Sequence, residues 1–311
     1  MGDVAVFYRI RRAVGYALFR RIAGEVLRTP PLRIVDSPVR IVTQLHPRDL
    51  LLYLVAAKTF YPRLGHGRFV LLLDPDLDPA GRALLVRHLG GAVVFRRVAE
   101  VDTGRCRRGG TWERLVTCLD LARDHYVIQL DADTLTLGEL PEVCEAVATN
   151  RPFLLGEGEP VVSCAEAARG PAVTASDATH VVDVAQRVLG DLPDAERLRY
   201  VRASSGFAGF DRAGGAGGRW LLEWFHGEMT ARLGRRFAEW GSEQVASAFV
   251  LANRPEPAVL PWPDYATVTP AVPLARVRFA HFIGTWRFRR LAYPRLARRT
   301  LRRLHVPAAV P

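Results

Sequence analysis

The segment YVIQLDADTLTL, residues 126–137, decides how this chain is read. Tyr126–Leu130 is a short apolar run of the kind found in strands buried on both faces. It delivers Asp131-Ala132-Asp133 to its carboxyl end, and in open α/β sheets ligands bind beyond such ends. Two carboxylates one residue apart, at a strand-to-loop break, can both turn toward one divalent ion. Hard oxygen ligands suit Mg²⁺ or Mn²⁺, which keep positions free for substrate phosphates. An Asp-x-Asp is short and reads equally as two solvated turn residues. The buried strand before it, and Thr134 with a new apolar run after it, favour the ion site.

Outward from this segment, strands and helices alternate. Arg40–Leu45, Arg68–Leu73 and Ala92–Phe95 read as strands. Arg48–Tyr61, Pro79–Leu89 and Trp112–Arg123 read as helices. Such alternation implies an α/β fold, with a mostly parallel, Rossmann-like sheet and helices on both faces. Residues 4–28 read as a helix on Phe7, Ile10, Val14, Leu18 and Ile22, closed by Pro30 and Pro31. Its flanking arginines allow two readings: a basic amphipathic membrane anchor, or a helix docked on the domain's own core. Beyond residue 150 the regularity fades. Residues 219–234 and 240–252 look helical, and Gly214, Gly215, Gly217 and Gly218 are expected to form a flexible loop.

The 311 residues are 49% hydrophobic, enough for a sizeable core. The net charge of +11 is unevenly spread. Residues 1–40 hold eight arginines and three acids; residues 271–311 hold ten arginines and no acid. Basic ends favour phosphates or acidic membrane surfaces. Arginine supplies 42 of the 43 basic residues, Lys58 being the exception, which points to codon bias rather than nucleic-acid binding. No nucleic-acid partner is expected. Cys106, Cys118, Cys144 and Cys164 show no zinc-ligand spacing and read as reduced thiols. No apolar run reaches the ~18 residues of a spanning helix, and arginines interrupt the N-terminus where a signal peptide would be apolar. A cytoplasmic protein is expected, with peripheral contact at the inner membrane surface left open.

Four short stretches in order resemble glycosyltransferase family 8, a group of GT-A-fold enzymes that includes glycogenin and bacterial lipopolysaccharide sugar transferases. They are Leu130–Thr134 with Gly138–Leu140, Ser204-Ser205-Gly206-Phe207, Gly241-Ser242-Glu243-Gln244, and His281-Phe282-Ile283-Gly284 with Arg287. Relative to the family, Ser204 stands for Asn, Glu243 for Asp and Arg287 for Lys. The resemblance covers roughly residues 38–290. It implies a metal-dependent, retaining transfer of a sugar from a nucleotide-sugar donor, a UDP-sugar first, to a saccharide or glycolipid acceptor. It divides the chain into an N-terminal helix (1–35), one GT-A domain (36–290) and an Arg-rich tail (291–311). Within the domain, 36–150 is the nucleotide-binding half and 151–290 the acceptor half.

The same resemblance gives each residue an expected role. Asp131, Asp133 and His281 would hold Mn²⁺ or Mg²⁺. Arg287 and Arg114 would meet the donor phosphates, Gly284 would permit close backbone approach, and Ser205 and Gly206 would line the donor. Glu243 and Gln244 would face the reaction centre, with a helix-capping role for Ser242 and Glu243 as the plainer alternative. Glu243 would be the base if the reaction inverts. At the nucleoside end Thr43 and Gln44, and Asp74 and Asp76, end two strands and could contact base and ribose. Lys58 reads first as a snorkelling helix lysine. A sugar-phosphate nucleotidyltransferase shares this sheet type, but VTQLHPRDL (residues 42–50) lacks the Gly-rich loop it needs. An Arg-rich nucleic-acid-binding protein is the third reading.

Overall fold

The computed structural model describes residues 2–170, 180–284 and 286–304, with side chains for all of these except 2–12, 216 and 289. The side chains of Phe7 and Ile10, residues 171–179 and the end of the tail, 305–311, lie outside the described part. In chain order the main elements are α1 (Gly2–Ala23), β1 (Val39–Leu45), α2 (Leu50–Leu64), β2 (Arg68–Leu73), α3 (Pro79–His88), β3 (Val93–Arg97), α4 (Trp112–Leu121), β4 (Tyr126–Leu130), β5 (Thr134–Thr136), α5 (Pro141–Ala148) and β6 (Phe153–Gly156). There follow β7 (Val162–Ser163), α6 (Cys164–Arg169), α7 (Val181–Val188), β8 (Arg199–Tyr200), β9 (Ala203–Phe210), α8 (Gly215–Leu233), α9 (Ser242–Ala252), β10 (Ala258–Val259), β11 (Tyr265–Thr267), β12 (Phe279–His281) and α10 (Ala292–Leu304).

Among the described residues the central sheet has seven strands in the order β10-β6-β9-β4-β1-β2-β3. Its pairings are parallel except at β9, which runs against both neighbours, β4 and β6. Successive side chains of a strand face opposite sides, so each buried strand feeds two cores. Ile41, Leu71 and Ile128 join one core with α1, α2, α3, α5 and α10. Val42, Val70, Leu72 and Val127 join the other with α4, α7, α8 and α9. Helices therefore cover both faces of the sheet, which is why its strands read as apolar runs rather than alternating ones. A smaller sheet, β11-β12-β5, sits on the first core.

Two expectations change here. Gly214–Gly218 is not a loop: α8 begins at Gly215. A Cβ on Gly215 would stand 2.2 Å from the Leu119 carbonyl oxygen, and one on Gly218 2.9 Å from the Leu119 side chain. These glycines let α8 approach α4 at backbone distance, so their role is packing. Lys58 does not snorkel either. It is buried, and its ammonium donates to Thr29 Oγ1 (2.6 Å), the Pro30 carbonyl (2.6 Å) and the Thr29 carbonyl (3.3 Å). Burial, with Arg87 nearby, pulls its pKa down to about 8. Lys58→Met should destabilise the chain by about 2 kcal/mol at pH 7, since Thr29 Oγ1 and the Thr29 and Pro30 carbonyls are left without their donor. Unfolding takes up a proton between pH 8 and the unfolded value near 10.4, so the wild type's advantage should grow with pH across that window. Urea titrations at pH 7 and pH 9.5 check both.

The first helix docks on the core. Phe19 stacks on Tyr293 at 4.1 Å between ring centroids, and Tyr293 stacks on Phe282 at 4.2 Å. Gly15 lies so close to Phe288 that a Cβ would fall 2.6 Å from that side chain. Among the described residues no helix is long and apolar enough to cross a membrane, and the four cysteines are free.

Candidate active site

One rim of the sheet collects the chemistry. β1, β2 and β4 end there, delivering Gln44, Asp74 and Asp131. Because β9 runs the other way, its first residues, Ala203-Ser204-Ser205-Gly206, arrive at that same rim. The Asp131 amide donates to the Gly206 carbonyl at 2.9 Å, locking β4's end to β9's beginning. The chain turns at Ala132-Asp133 into β5, and the Thr134 hydroxyl closes that turn on the Asp131 carbonyl at 2.8 Å. β12 pairs antiparallel with β5, setting His281 opposite Thr134. The Phe282 amide then donates to the Asp133 carbonyl at 2.9 Å. Residues 150 positions apart are thus fixed by backbone pairing.

Asp131, Asp133 and His281 each offer one ligand atom, and the three atoms lie within 4.8 Å of one another. His281 Nε2 is 3.3 Å from Asp133 Oδ1 and 3.7 Å from Asp131 Oδ2. Adjacent ligands of a six-coordinate ion with bonds of about 2.1 Å are separated by roughly 3 Å, so this donor set fits Mg²⁺ or Mn²⁺ after small adjustment. His281 Nδ1 is hydrogen-bonded to Ser204 Oγ at 3.0 Å, which leaves Nε2 aimed at the carboxylates. Holding the far ring nitrogen is how proteins orient a ligating imidazole. The ring lies flush against Gly206: a Cβ there would stand 2.2 Å from His281 Cε1. Gly206→Ala must therefore displace the imidazole. Were the three groups to hold a divalent ion, its affinity, read by calorimetry, should fall by about tenfold or more in this variant, the usual penalty when a ligand's support is disturbed.

Two arginines neutralise the carboxylates. Arg114 is buried and pairs with Asp131, and Arg287 pairs with Asp133. Arg114 also reaches both oxygens of Glu243 at 3.4 Å and Ser205 Oγ at 3.3 Å. Glu243 in turn accepts from Ser205 (2.9 Å) and Thr111 (3.0 Å). Burial works to raise Asp133, but the charges of His281 and Arg287 outweigh it and hold the carboxyl at about 2. In Asp131 burial wins over Arg114, and the neighbouring Asp133 charge adds to the rise. Glu243 is raised by burial against the pull of Arg114. His281 is raised overall because Asp133 and Asp131 outweigh the effect of burial.

The other expected residues divide. Ser205 and Gly206 lie in the cluster. Gln244 follows Glu243 in the first turn of α9 and is half-exposed. Of the capping alternative, Glu243 does stand in the first turn of α9, but Ser242 is not the cap: Gly241 is the N-cap, in left-handed geometry (φ 103°), and Ser242 Oγ accepts instead from Trp112 Nε1 at 3.1 Å. Thr43 is fully buried and its hydroxyl donates to the Leu130 carbonyl at 2.5 Å, so it ties β1 to β4 rather than facing the rim. Its neighbour Gln44 is half-exposed, with Oε1 buried and without a partner among the described residues. Asp74 is exposed at the rim, while Asp76 is engaged by Arg82 at 2.5 Å. Among the described residues a Cβ on Gly284 would meet nothing within 4 Å, so no contact with them demands glycine there. Sequence reading missed Thr111 and Gln129. Gln129 is fully buried in β4 and donates to the Ser205 carbonyl. A lone amide inside an apolar strand was the signal.

No family model and no curated protein sequence matches the chain. Among solved structures, the galactosyltransferase LgtC in complex with donor and acceptor sugar analogs aligns at 14% identity over 88% of this chain and 97% of its own, with a TM-score of 0.47. The bifunctional glycosyltransferase WbbM, in its apo form, aligns at 14% identity over 82% of this chain and 47% of its own, with a TM-score of 0.48. Apo mouse xyloside xylosyltransferase 1 aligns at 15% identity over 81% and 99%, with a TM-score of 0.46.

Proposed function

We propose that this chain is a metal-dependent glycosyltransferase of GT-A type, moving a sugar from a nucleoside-diphosphate donor to a saccharide or glycolipid acceptor. The observation that carries the reading is the convergence of Asp131, Asp133 and His281 at the carboxyl rim of the sheet, with Arg114 and Arg287 beside them. Two carboxylates alone would repel a diphosphate, whereas carboxylates, an imidazole and two guanidiniums can seat it through a divalent ion. Asp131, Asp133 and His281 would hold that ion, Mn²⁺ or Mg²⁺, which supplies Lewis-acid stabilisation of charge on the leaving nucleotide.

The chain's own groups divide the remaining work. Arg287 and Arg114 offer permanent charge to the phosphates once the metal shares their carboxylates. Ser204 holds the His281 tautomer. Half-exposed Gln44 at the end of β1, with exposed Asp74 at the end of β2, supports a nucleoside contact there, for which a UDP-sugar is the first donor to try. Glu243 supports retention of configuration. An inverting reaction needs a base beside the acceptor, but this carboxylate is 3% exposed and occupied by Arg114, Ser205 and Thr111. Glu243 acts here as a positioning residue for Arg114, and half-exposed Gln244 is the group left to face the anomeric carbon.

A peripheral membrane contact is supported by the paired terminal helices. Arg20 and Arg21 with Val14 and Leu18 on α1, and Arg295, Arg298, Arg299, Arg302 and Arg303 on α10, are all exposed. This composition suits an anionic leaflet facing the cytoplasm. The enzymatic reading is tested by incubating the chain with a set of nucleotide-sugars and Mn²⁺. Nucleotide release is expected from one donor, abolished by EDTA and restored by excess Mn²⁺. Release indifferent to chelator would remove the metal from the proposal.

A further inference from the structure

A cavity of about 450 Å³ opens on the same rim, on the side away from β1 and β2. Its walls include Glu157, Asp183, Gln186, Arg187, Tyr200 and Arg202. Strand pairing fixes its place. Glu157 follows Gly156, the last residue of β6, and Arg202 precedes Ala203, the first of β9; Gly156 and Ala203 are register partners. Two residues further along β9 from Arg202, Ser204 holds His281, and Ser205 holds Glu243. The rim therefore runs from nucleoside side, through the carboxylate pair, to this cavity.

The lining has the chemistry of a polyol site. Vicinal hydroxyls both donate and accept, so they pair with carboxylates and guanidiniums side by side. Glu157 and Glu159 are exposed acceptors, and Gln186 bears both kinds of group. Asp183 is already joined to Arg202 at 2.7 Å. Arg187 lines the wall, and its Nη2 is buried with no partner among the described residues. Buried Tyr200 and half-buried Val162 supply apolar surface. Acids outnumber bases: Glu157, Glu159, Glu166 and Asp183 against Arg187 and Arg202. That excess disfavours phosphates and sugar acids.

We infer that this cavity is the acceptor subsite and takes the uncharged end of a saccharide. The acceptor role rests on the transferase reading above; saccharide binding does not. The full chain is titrated by fluorescence polarisation into labelled lactose, cellobiose, a glucuronate-terminated disaccharide and sialyllactose. At least one neutral glycan is expected to bind ten times or more tighter than both acidic ones. Arg187→Met is expected to weaken that neutral glycan about tenfold. The double variant Glu157→Gln/Glu159→Gln, at exposed positions that leave folding intact, should narrow the gap between neutral and acidic glycans.

In the turnover assay both variants should raise the acceptor KM about tenfold more than they change the donor KM. Binding of none of the four glycans, preference for an acidic one, or indifference to both sets of substitutions would overturn the subsite. Arg187-dependent glycan binding without nucleotide release from any donor would leave the saccharide site standing and remove the transferase reading. Chelator-sensitive release with unaltered acceptor KM would do the reverse.

Discussion

Asp133→Asn is expected to lose nearly all metal-dependent turnover while the chain stays folded. Asp133 is held at about 2 by His281 and Arg287 against the effect of burial, so at neutral pH it is a full carboxylate. Asparagine keeps the shape but gives up the charge and one anionic oxygen of the three-atom cluster. Lewis-acid stabilisation is worth several kcal/mol, and a loss of about 4 kcal/mol is roughly a thousandfold in rate. Two measurements check this together. Nucleotide release should fall by about that factor, and the wild type's rise in Tm with Mn²⁺ should vanish in the variant. Turnover within tenfold of wild type would mean that the ion, if one binds, sits elsewhere.

The second large effect is on stability. Arg114→Met should destabilise the fold by about 3–5 kcal/mol, the range for stripping one partner from a buried ion pair. Arg114 is 4% exposed, and its removal would leave buried Glu243 without its counter-charge and Asp131 with only the more distant charges of His281 and Arg287. Both carboxyls are already raised by burial, and without the guanidinium they rise further. A group whose folded pKa lies above its unfolded one stabilises the fold while protonated and loses that contribution as pH rises through the folded value. The deficit should therefore be larger at pH 8 than at pH 5 in urea titrations. Adding Glu243→Gln should return part of it. An Arg114→Met chain as stable as wild type at pH 8 would show that solvent, not the guanidinium, carries the charge.

What could be read from the sequence follows from how local each signal is. β2 and β4 were legible to the residue because strands buried on both faces are mostly apolar runs, broken only by Arg68 at the start of one and Gln129 within the other. The Asp131–Asp133 pair stood at the end of one of them. His281, Ser205 and Glu243 were reachable only through resemblance, since nothing local in HFIG or SSGF says that β12 and β9 bring them to the same rim. Arg114 was placed on a helix but not paired, because a helical arginine carries no mark of what it faces across the sheet. Thr43 failed for the opposite reason: its position near a strand end was right, but its hydroxyl turns inward to the Leu130 carbonyl. The glycines of α8 misled because composition cannot tell a loop from a helix packed at backbone distance. Strands β7 and β8 carry no periodicity because two-residue pairings are set by their partners.

The reversed direction of β9 also bears on how the chain comes off the ribosome. Until residue 210 has emerged, β4 is the open border of a four-stranded parallel sheet, with its backbone amides and carbonyls unclaimed on that side. The nascent front segment is thus sticky at the very strand that bears the acidic pair, and splitting the gene after residue 150 would freeze that state.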